Sequence, residues 1–315
     1  MFPQYQGLFA PFRNSMILIT TPTGNIGSQV VEQVLASNQP IRIIARDLTR
    51  LPMHVRDRAQ VLEGEHNNSA LIHRACEGID SVFWLVPPSP KASNAESAYL
   101  DFTRPACEAF NVQGVKRVVG VSALGRGSGH EGNAGLATAA LAMDALIAQS
   151  GVAYRALLMP SFMDNMLRQL SPINSLGKFF SPLPGDAKYP TCATRDIASK
   201  ATELLLDPSW SGVAGVPVMG PEDLSLTDMA RTLSQVLGKT VTFQQTTLEG
   251  FRAQLLGQGM SGAMAQGVVD MYAAKMRGLD NKEPRTPAAS TPTSFHQWCE
   301  EVMKPAIAAI NRSVF

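Results

Sequence analysis

Residues 16–47 read MILITTPTGNIGSQVVEQVLASNQPIRIIARD, and the architecture of this 315-residue chain follows from them. The apolar run Met16–Ile19 is typical of a strand buried on both faces. A turn of small and glycine residues follows, and residues 28–37 carry apolar side chains at helical spacing. The run Ile41–Ala45 predicts a second strand. Strand, glycine turn, helix and strand within about thirty residues predict a βαβ unit of the kind that binds dinucleotides.

The glycine turn predicts a pyrophosphate site, because a helix N-terminus offers N–H donors and a side chain would block the approach. Thr21 stands where the usual G-x-x-G-x-x-G spacing has its first glycine. A purely structural turn is the alternative, but the strand–helix–strand order favours cofactor binding. The predicted contacts in this turn are Thr21, Thr23, Gly24, Asn25, Ile26 and Gly27.

Arg46, at the end of the second predicted strand, indicates NADP(H) in preference to NAD(H). An acidic residue there hydrogen-bonds the ribose hydroxyls of NAD, whereas an arginine pairs with the 2′-phosphate of NADP. Asp47 comes one residue later, where strand alternation turns its side chain away. A solvated strand-end arginine is the alternative. Glu65 is a candidate for the adenine end of the cofactor, or a solvated loop acid.

Alternating strands and helices as far as Pro160 predict an α/β fold with a Rossmann-type, doubly wound parallel sheet covered on both faces. Further strands are predicted at 59–64, 81–86, 115–121 and 154–159, and helices at 68–77, 95–111 and 136–149. Prolines directly after the fourth strand close its hydrogen-bond ladder. Val86, Pro87 and Pro88 then shape the crevice at the carboxyl edge of the sheet, where ligands bind.

After Pro160 the pattern loosens, which predicts a smaller C-terminal α/β lobe with some strands returning to the core sheet. Helical regions are predicted at 161–173 and 248–274, and a short strand at 216–220. The predicted division is an N-terminal extension over 1–15, a dinucleotide-binding core over 16–160 and a substrate lobe over 161–315. Met16 is an alternative start to Met1.

The composition limits the classes of partner that we expect this protein to bind. The 27 Lys and Arg nearly balance the 26 Asp and Glu, so no nucleic-acid-binding surface is indicated. Four cysteines without metal-ligand spacing indicate buried or idle thiols, and no metal is expected. No apolar run is long enough to span a membrane and the first residues lack a secretion signal, so we expect a cytoplasmic monomer or homodimer.

From Met16 onward the chain resembles the NmrA-like family of atypical short-chain dehydrogenases. The matching segments span most of the chain. They are 23–27, 45–47, 83–88, 114–119 with Ser122, 159–165, 195–198, 220–222 and 291–295 with Trp298. The resemblance implies a Rossmann domain, a smaller substrate lobe, and NADP(H) bound by the glycine turn, by Arg46 and by the crevice at 86–88.

The resemblance leaves catalysis open, because the family includes reductases of quinones, dyes and phenylpropanoids and also redox sensors that bind the cofactor without turnover. Ordinary short-chain dehydrogenases use a Tyr-x-x-x-Lys pair as proton donor. The matching helix, 136–149, contains neither tyrosine nor lysine. A conjugated acceptor such as a quinone needs no strong protein acid, and positioning against the nicotinamide then carries the rate.

Five residues are candidates for contact with the reacting groups. Ser122 matches a position near the nicotinamide in the family; a hydroxyl bonded to backbone is the alternative. His130 follows in a glycine loop and is a candidate proton donor, although an idle loop histidine is the alternative. Phe162, Met163 and Asn165 follow the sixth strand. The first two suit a flat apolar substrate or core packing, and Asn165 suits a carbonyl.

The sequence therefore predicts an NADP(H)-dependent oxidoreductase that transfers a hydride to a small conjugated or aromatic carbonyl, quinone-like substrate. The alternative is an NmrA-type redox-sensing regulator, in which cofactor binding changes the affinity for a protein partner. An isomerase or another transformation on the same fold is a third possibility.

Overall fold

The computed structural model describes residues 15–313, so nearly all of the predicted N-terminal extension lies outside the described residues. Its strands are β1 (Met16–Ile19), β2 (Ile41–Ala45), β3 (Gln60–Glu63), β4 (Ile79–Trp84), β5 (Arg117–Ala123), β6 (Ala153–Met159), β7 (Ser161–Phe162), β8 (Lys178–Ser181), β9 (Tyr189–Cys192), β10 (Val213–Pro217), β11 (Asp223–Leu224) and β12 (Thr242–Gln245).

The α-helices are α1 (Gly27–Ala36), α2 (Met53–Arg58), α3 (Ser69–Cys76), α4 (Phe102–Gln113), α5 (Leu136–Gln149), α6 (Leu170–Leu176), α7 (Thr194–Leu206), α8 (Leu226–Leu237), α9 (Leu248–Gly257), α10 (Gly262–Met276), α11 (Phe295–Trp298) and α12 (Lys304–Ser313). Short 3₁₀ helices cover Leu48–Arg50, Glu131–Asn133, Met163–Gln169 and Leu279–Asn281, and π-helical segments cover Ser97–Asp101 and Cys299–Met303. Between residues 15 and 313, no helix combines the length and the apolarity needed to cross a membrane.

Seven parallel strands form the central sheet in the order β10-β6-β5-β4-β1-β2-β3. The chain builds β1, β2 and β3 towards one edge and then returns to place β4 on the other side of β1. Ligands bind in open parallel sheets at such a reversal of strand order, outside the carboxyl ends of the strands. The predicted Rossmann-type, doubly wound sheet is confirmed.

Both faces of the sheet are buried, as its continuous apolar strands predict. Within β4, Val82 and Trp84 join the core beneath α3, α4 and α5, whereas Phe83 joins the core beneath α1 and α7. Successive side chains of a strand point to opposite faces, so one strand supplies both cores.

The strand predicted at 216–220 is displaced: the edge strand β10 covers Val213–Pro217 and pairs with β6. The chain leaves the sheet after Pro217 because the next residues pair elsewhere. Met219 bridges to Ser290, and the Gly220 N–H donates to the Thr191 carbonyl over 2.7 Å.

The helix predicted at 161–173 is only partly correct. Residues 161–162 form β7 beside β9, and a 3₁₀ helix precedes α6. Asp164 accepts hydrogen bonds from the Thr194 N–H and hydroxyl, which draws this segment towards α7. The helical region predicted at 248–274 is split into α9 and α10. Gly259 has φ +85° and Ser261 caps α10 by accepting from the Met264 N–H.

The C-terminal part has its own core. Phe179, Leu233 and Met303 are buried there beside Phe295 and Trp298, whose stacked rings lie 5.6 Å apart. These contacts hold α8, α11 and the last π-helical segment together, and Met163 and Met166 join the same core.

Candidate functional site

A cavity of about 680 Å³ lies at the carboxyl ends of the central strands. The glycine turn bounds one side, and α10 bounds the other. The predicted site residues that line it are Thr21, Gly24, Asn25, Ile26, Gly27, Val86, Pro87, Pro88, Ser122, Phe162 and Asn165. The structure therefore brings the turn, the proline crevice and the ends of β5 and β6 together around one space.

The turn keeps a glycine-type shape although Thr21 replaces the first glycine. Thr21 has φ +54°, a left-handed conformation that glycine adopts readily and threonine rarely does. Its carbonyl accepts from the Gly24 N–H over 3.0 Å. A Cβ on Gly27 would lie 2.1 Å from the same carbonyl oxygen, so this glycine is required for α1 to contact the turn.

The donors of this turn fit a diphosphate. The N-terminus of α1 has no side-chain cap, which leaves backbone N–H groups of its first turn for a ligand. The Thr21 hydroxyl is buried without a hydrogen-bond partner in the described part of the chain. A buried hydroxyl without a partner is costly, and a phosphate oxygen beside the turn would satisfy it.

Arg46 and Glu65 lie beyond the lining of the cavity, at the ends of β2 and β3. Their side chains form an exposed ion pair, with 3.6 Å between Nη1 and Oε1. The Arg46 side chain is 68% exposed, so an anion can reach it from solvent. Glu65 therefore contacts Arg46, the residue predicted to bind the 2′-phosphate. The sequence did not predict this ion pair.

His66 follows Glu65 and was not a sequence candidate. Its ring is buried edge-on against Trp84 and Phe102, with ring centroids 5.2 and 4.5 Å away, and its Nε2 lies 3.2 Å from the Leu85 carbonyl oxygen. Burial lowers the pKa of His66 to about 4, so the imidazole is neutral at neutral pH. Through its contact with the carbonyl oxygen, His66 supports Leu85, a residue of the cavity lining after β4.

Ser122 is tied to a buried carboxylate. Its hydroxyl donates to Asp144 Oδ2 over 2.5 Å, and the Tyr154 hydroxyl donates to Oδ1 over 2.6 Å. Arg126 donates to Oδ2 over 3.1 Å. Burial raises the pKa of Asp144, and these hydrogen bonds oppose the shift. Since the Ser122 proton is directed at Asp144, the serine oxygen presents lone pairs, not a donor, to the cavity.

Sequence reasoning missed Asp144 and its partners Arg126 and Tyr154. A signal was present, because Asp144 is the one charged residue in the helix LATAALAMDALIAQ. An acid in such a helix is expected either to face solvent or to find buried donors. Which of the two applies depends on Tyr154, a residue of the next strand.

The remaining predicted residues lie outside the cavity lining. These are Thr23, Arg46, Glu65, His130 and Met163. His130 precedes a 3₁₀ turn whose Glu131 carboxylate accepts from the Gly127 N–H and the Ser128 hydroxyl, so this glycine loop is internally bonded. Met163 is buried in the C-terminal core.

Helix α10 and the 3₁₀ helix that follows it contribute polar residues that the sequence did not single out. Tyr272, Lys275 and Asp280 line the cavity. Lys275 and Asp280 form an ion pair whose side chains are 8% and 2% exposed, and Tyr272 is half-buried with its ring 5.0 Å from that of Phe251. The spacing Tyr-Ala-Ala-Lys places two polar groups one helical turn apart.

Residues 22–208 match the protein family described as NAD(P)H-binding. The chain belongs to the NAD(P)H-binding family. It is 28% identical over 258 residues to the NAD(P)H azoreductase of Xenophilus azovorans, covering 82% of this chain and 86% of that one. It is 24% identical over 267 residues to quinone oxidoreductase 2 of Escherichia coli (strain K12), covering 84% of this chain and 89% of that one.

Solved structures of other NAD(P)H-binding proteins share the fold. The NADPH-dependent quinone oxidoreductase of Escherichia coli complexed with NADPH superposes with a TM-score of 0.73 at 21% identity, covering 94% of this chain and 100% of that one. The triphenylmethane reductase of Citrobacter sp. complexed with NADP(H) gives 0.74 at 18% identity, covering 90% and 98%. The predicted NmrA-like, atypical short-chain dehydrogenase family and the prediction of an NAD(P)H-dependent reductase are confirmed.

Proposed function

We propose that this protein is an NADPH-dependent reductase of small conjugated or aromatic carbonyl compounds of the quinone type. The observation that carries the proposal is the single cavity that joins the glycine turn to an apolar space at the ends of β5 and β6. A cofactor and a flat substrate therefore have adjoining places at the edge of the sheet where Rossmann folds bind ligands.

The cofactor end of the site rests on the turn and on Arg46. The N–H groups at the start of α1 and the Thr21 hydroxyl bind the pyrophosphate, with Gly24 leaving room for its approach. Arg46 exchanges its exposed partner Glu65 for the 2′-phosphate, which provides the preference for NADPH over NADH. When bound, the reduced nicotinamide supplies the hydride.

The substrate end is largely apolar. Phe162 and the prolines after β4 border the cavity, and α5 presents to it only the alkyl side chains of Leu136, Ala137 and Ala140. This face excludes water and offers no acid, which suits an acceptor whose charge is delocalised. Residues 161–313, apart from β10 and α7 on the core sheet, form the substrate lobe.

The experiment is a titration of the purified protein with NADPH and with NADH, followed by the loss of absorbance at 340 nm with quinones, enones and azo dyes. Tighter binding of NADPH with acceptor-dependent oxidation supports the proposal. Tight binding with no turnover across the panel contradicts it and favours the regulatory alternative, which the reductase relatives do not support.

A further inference from the structure

Helix α10 is fixed against the nucleotide-binding core at two points. A Cβ on Gly135, which precedes α5, would lie 2.0 Å from the Gly267 carbonyl oxygen, so the two backbones are in contact. At its N-terminus, the Ser261 hydroxyl donates to the Ala92 carbonyl over 2.7 Å, and the Ser261 N–H donates to the Pro90 carbonyl. The N-terminal half of α10 is therefore held by the loop after β4 and by the start of α5, and its C-terminal half lines the cavity.

The polar residues of α10 lie next to the end of β5. Met271, Ala274 and Leu279 pack in one small cluster with Ala137 of α5 and with Ala123, the residue directly after Ser122. Met271 and Ala274 are next to Tyr272 and Lys275 in the helix and pack on this strand end. The Tyr272 hydroxyl and the Lys275 ammonium group therefore border the substrate end of the cavity.

Three other donors of the cavity lining are already engaged. Ser122 donates to Asp144, and the Thr194 hydroxyl donates to Asp164 over 2.9 Å. Lys275 is paired with Asp280. By contrast, the Tyr272 hydroxyl makes no hydrogen bond within the described residues, although its ring lines the cavity.

We infer that Tyr272 donates a hydrogen bond to the carbonyl oxygen of the substrate and so takes the orienting role of the absent Tyr-x-x-x-Lys pair. This inference rests on the proposed function. The edge contact with Phe251 holds the ring, and the Lys275–Asp280 ion pair ties the end of α10 to the turn that follows. Burial raises the pKa of the Tyr272 phenol, so the group remains a donor at neutral pH.

The effect of the Tyr272 hydroxyl on the rate depends on the chemistry of the acceptor. A quinone that takes up the hydride becomes a hydroquinone monoanion, and a proton from solvent completes the reduction. The negative charge develops on a quinone oxygen, where a preorganised donor stabilises it. A cationic triphenylmethane dye instead becomes neutral when its central carbon takes up hydride, and no oxygen becomes charged. Removing the Tyr272 hydroxyl should therefore slow quinone reduction and leave dye reduction unchanged.

The test compares Tyr272→Phe with Tyr189→Phe, a matched loss of a phenol oxygen from a buried tyrosine outside the cavity lining. We expect Tyr272→Phe to lower kcat/KM for menadione by about 10- to 100-fold, since loss of one oxyanion donor costs about 10²–10³ at most. The rate with crystal violet and the Kd for NADPH should stay at the wild-type values. Menadione affinity measured without cofactor should fall about two- to tenfold, the effect of one hydrogen bond.

Two failures are distinguishable. If the wild-type protein does not oxidise NADPH with any of the acceptors, the proposed function is refuted. The menadione affinities alone then test the contact with Tyr272. If the wild type reduces both acceptors while Tyr272→Phe lowers neither rate, or lowers both equally, the assignment of Tyr272 is wrong and the reductase remains. A selective loss in Tyr99→Phe, another tyrosine of the cavity lining, with none in Tyr272→Phe would also overturn it.

Discussion

Alanine replacements at Gly24 and Gly27 separate the contribution of the glycine turn to stability from its contribution to cofactor binding. A Cβ at position 27 would lie 2.1 Å from the carbonyl oxygen of Thr21 and 2.8 Å from its carbonyl carbon, distances that backbone atoms cannot accept without moving. A Cβ at position 24 would lie 3.4 Å from the same oxygen, which is an ordinary contact. Gly24→Ala is therefore the matched control for Gly27→Ala.

The expected loss of stability in Gly27→Ala follows from this clash. Over-packing costs about 1–3 kcal/mol, against a gain of at most about 1 kcal/mol for replacing glycine by alanine in a helix. With an unfolding entropy of about 2.1 cal/mol/K per residue, each kcal/mol corresponds to roughly 1.5 °C in a chain of this length. The 2.1 Å approach to a backbone atom places the over-packing cost at about 2–3 kcal/mol, so a net loss of about 1–3 kcal/mol remains. Gly27→Ala should therefore melt about 1.5–4.5 °C below the wild type, and Gly24→Ala within about 1 °C of it.

Cofactor affinity should fall in both variants, for different reasons. In Gly24→Ala the methyl group occupies the space over a folded turn, whereas in Gly27→Ala the turn itself moves. A lost hydrogen bond to a phosphate is worth about 1.5–3 kcal/mol, so NADPH should bind at least about tenfold more weakly. Thermal melts without cofactor and fluorescence titrations with NADPH measure the two effects. A Gly27→Ala protein that melts at or above the wild-type temperature would refute the reasoning, as would wild-type affinity in Gly24→Ala.

Three further predictions concern the surroundings of the cavity. Arg46→Ala should weaken NADPH binding by about 10- to 100-fold and leave NADH nearly unchanged, whereas equal losses would disprove the 2′-phosphate contact. Because burial lowers the pKa of His66 from 6.5 to about 4, the unfolded chain takes up a proton that the folded chain excludes, and stability should fall by about 3 kcal/mol as pH drops through that range. In His66→Gln the free energy of unfolding, measured by urea titrations at several pH values, should depend less on pH. An unchanged pH dependence would assign it to other titratable groups. Asp144→Ala leaves buried donors without an acceptor and should cost about 3–5 kcal/mol, against about 1 kcal/mol for Ser122→Ala; equal midpoints in urea would show that the network contributes little.

The core of the fold could be predicted because its strands are short apolar runs between turn residues. β1 and β2 begin and end at the predicted residues, and α5 covers the predicted 136–149. In a parallel sheet both faces are buried, so each strand is uniformly apolar and stands out from its surroundings. The glycine turn could also be predicted from local sequence, because Gly24 and Gly27 lie between a strand and a helix, even with Thr21 in the place of a glycine.

The parts that escaped prediction depend on contacts between distant residues. β8 and β9 have little apolar contrast and form only because β12 and β7 pair with them. The Ser122–Asp144–Tyr154 network joins two strands and a helix, and no local pattern specifies which donors reach the acid. The position of Tyr272 depends on the packing of α10 against α5, which lies more than a hundred residues earlier in the chain.

The most direct test of direct hydride transfer in this cavity uses NADPH deuterated at C4 of the nicotinamide, in its two stereospecific forms. Single-turnover oxidation by menadione avoids any slow release of product. A fixed orientation in the cavity predicts that one deuterated form reacts more slowly than unlabelled NADPH and that the other reacts at the unlabelled rate. Equal rates for all three cofactors would contradict a rate-determining hydride transfer from a nicotinamide held in one orientation.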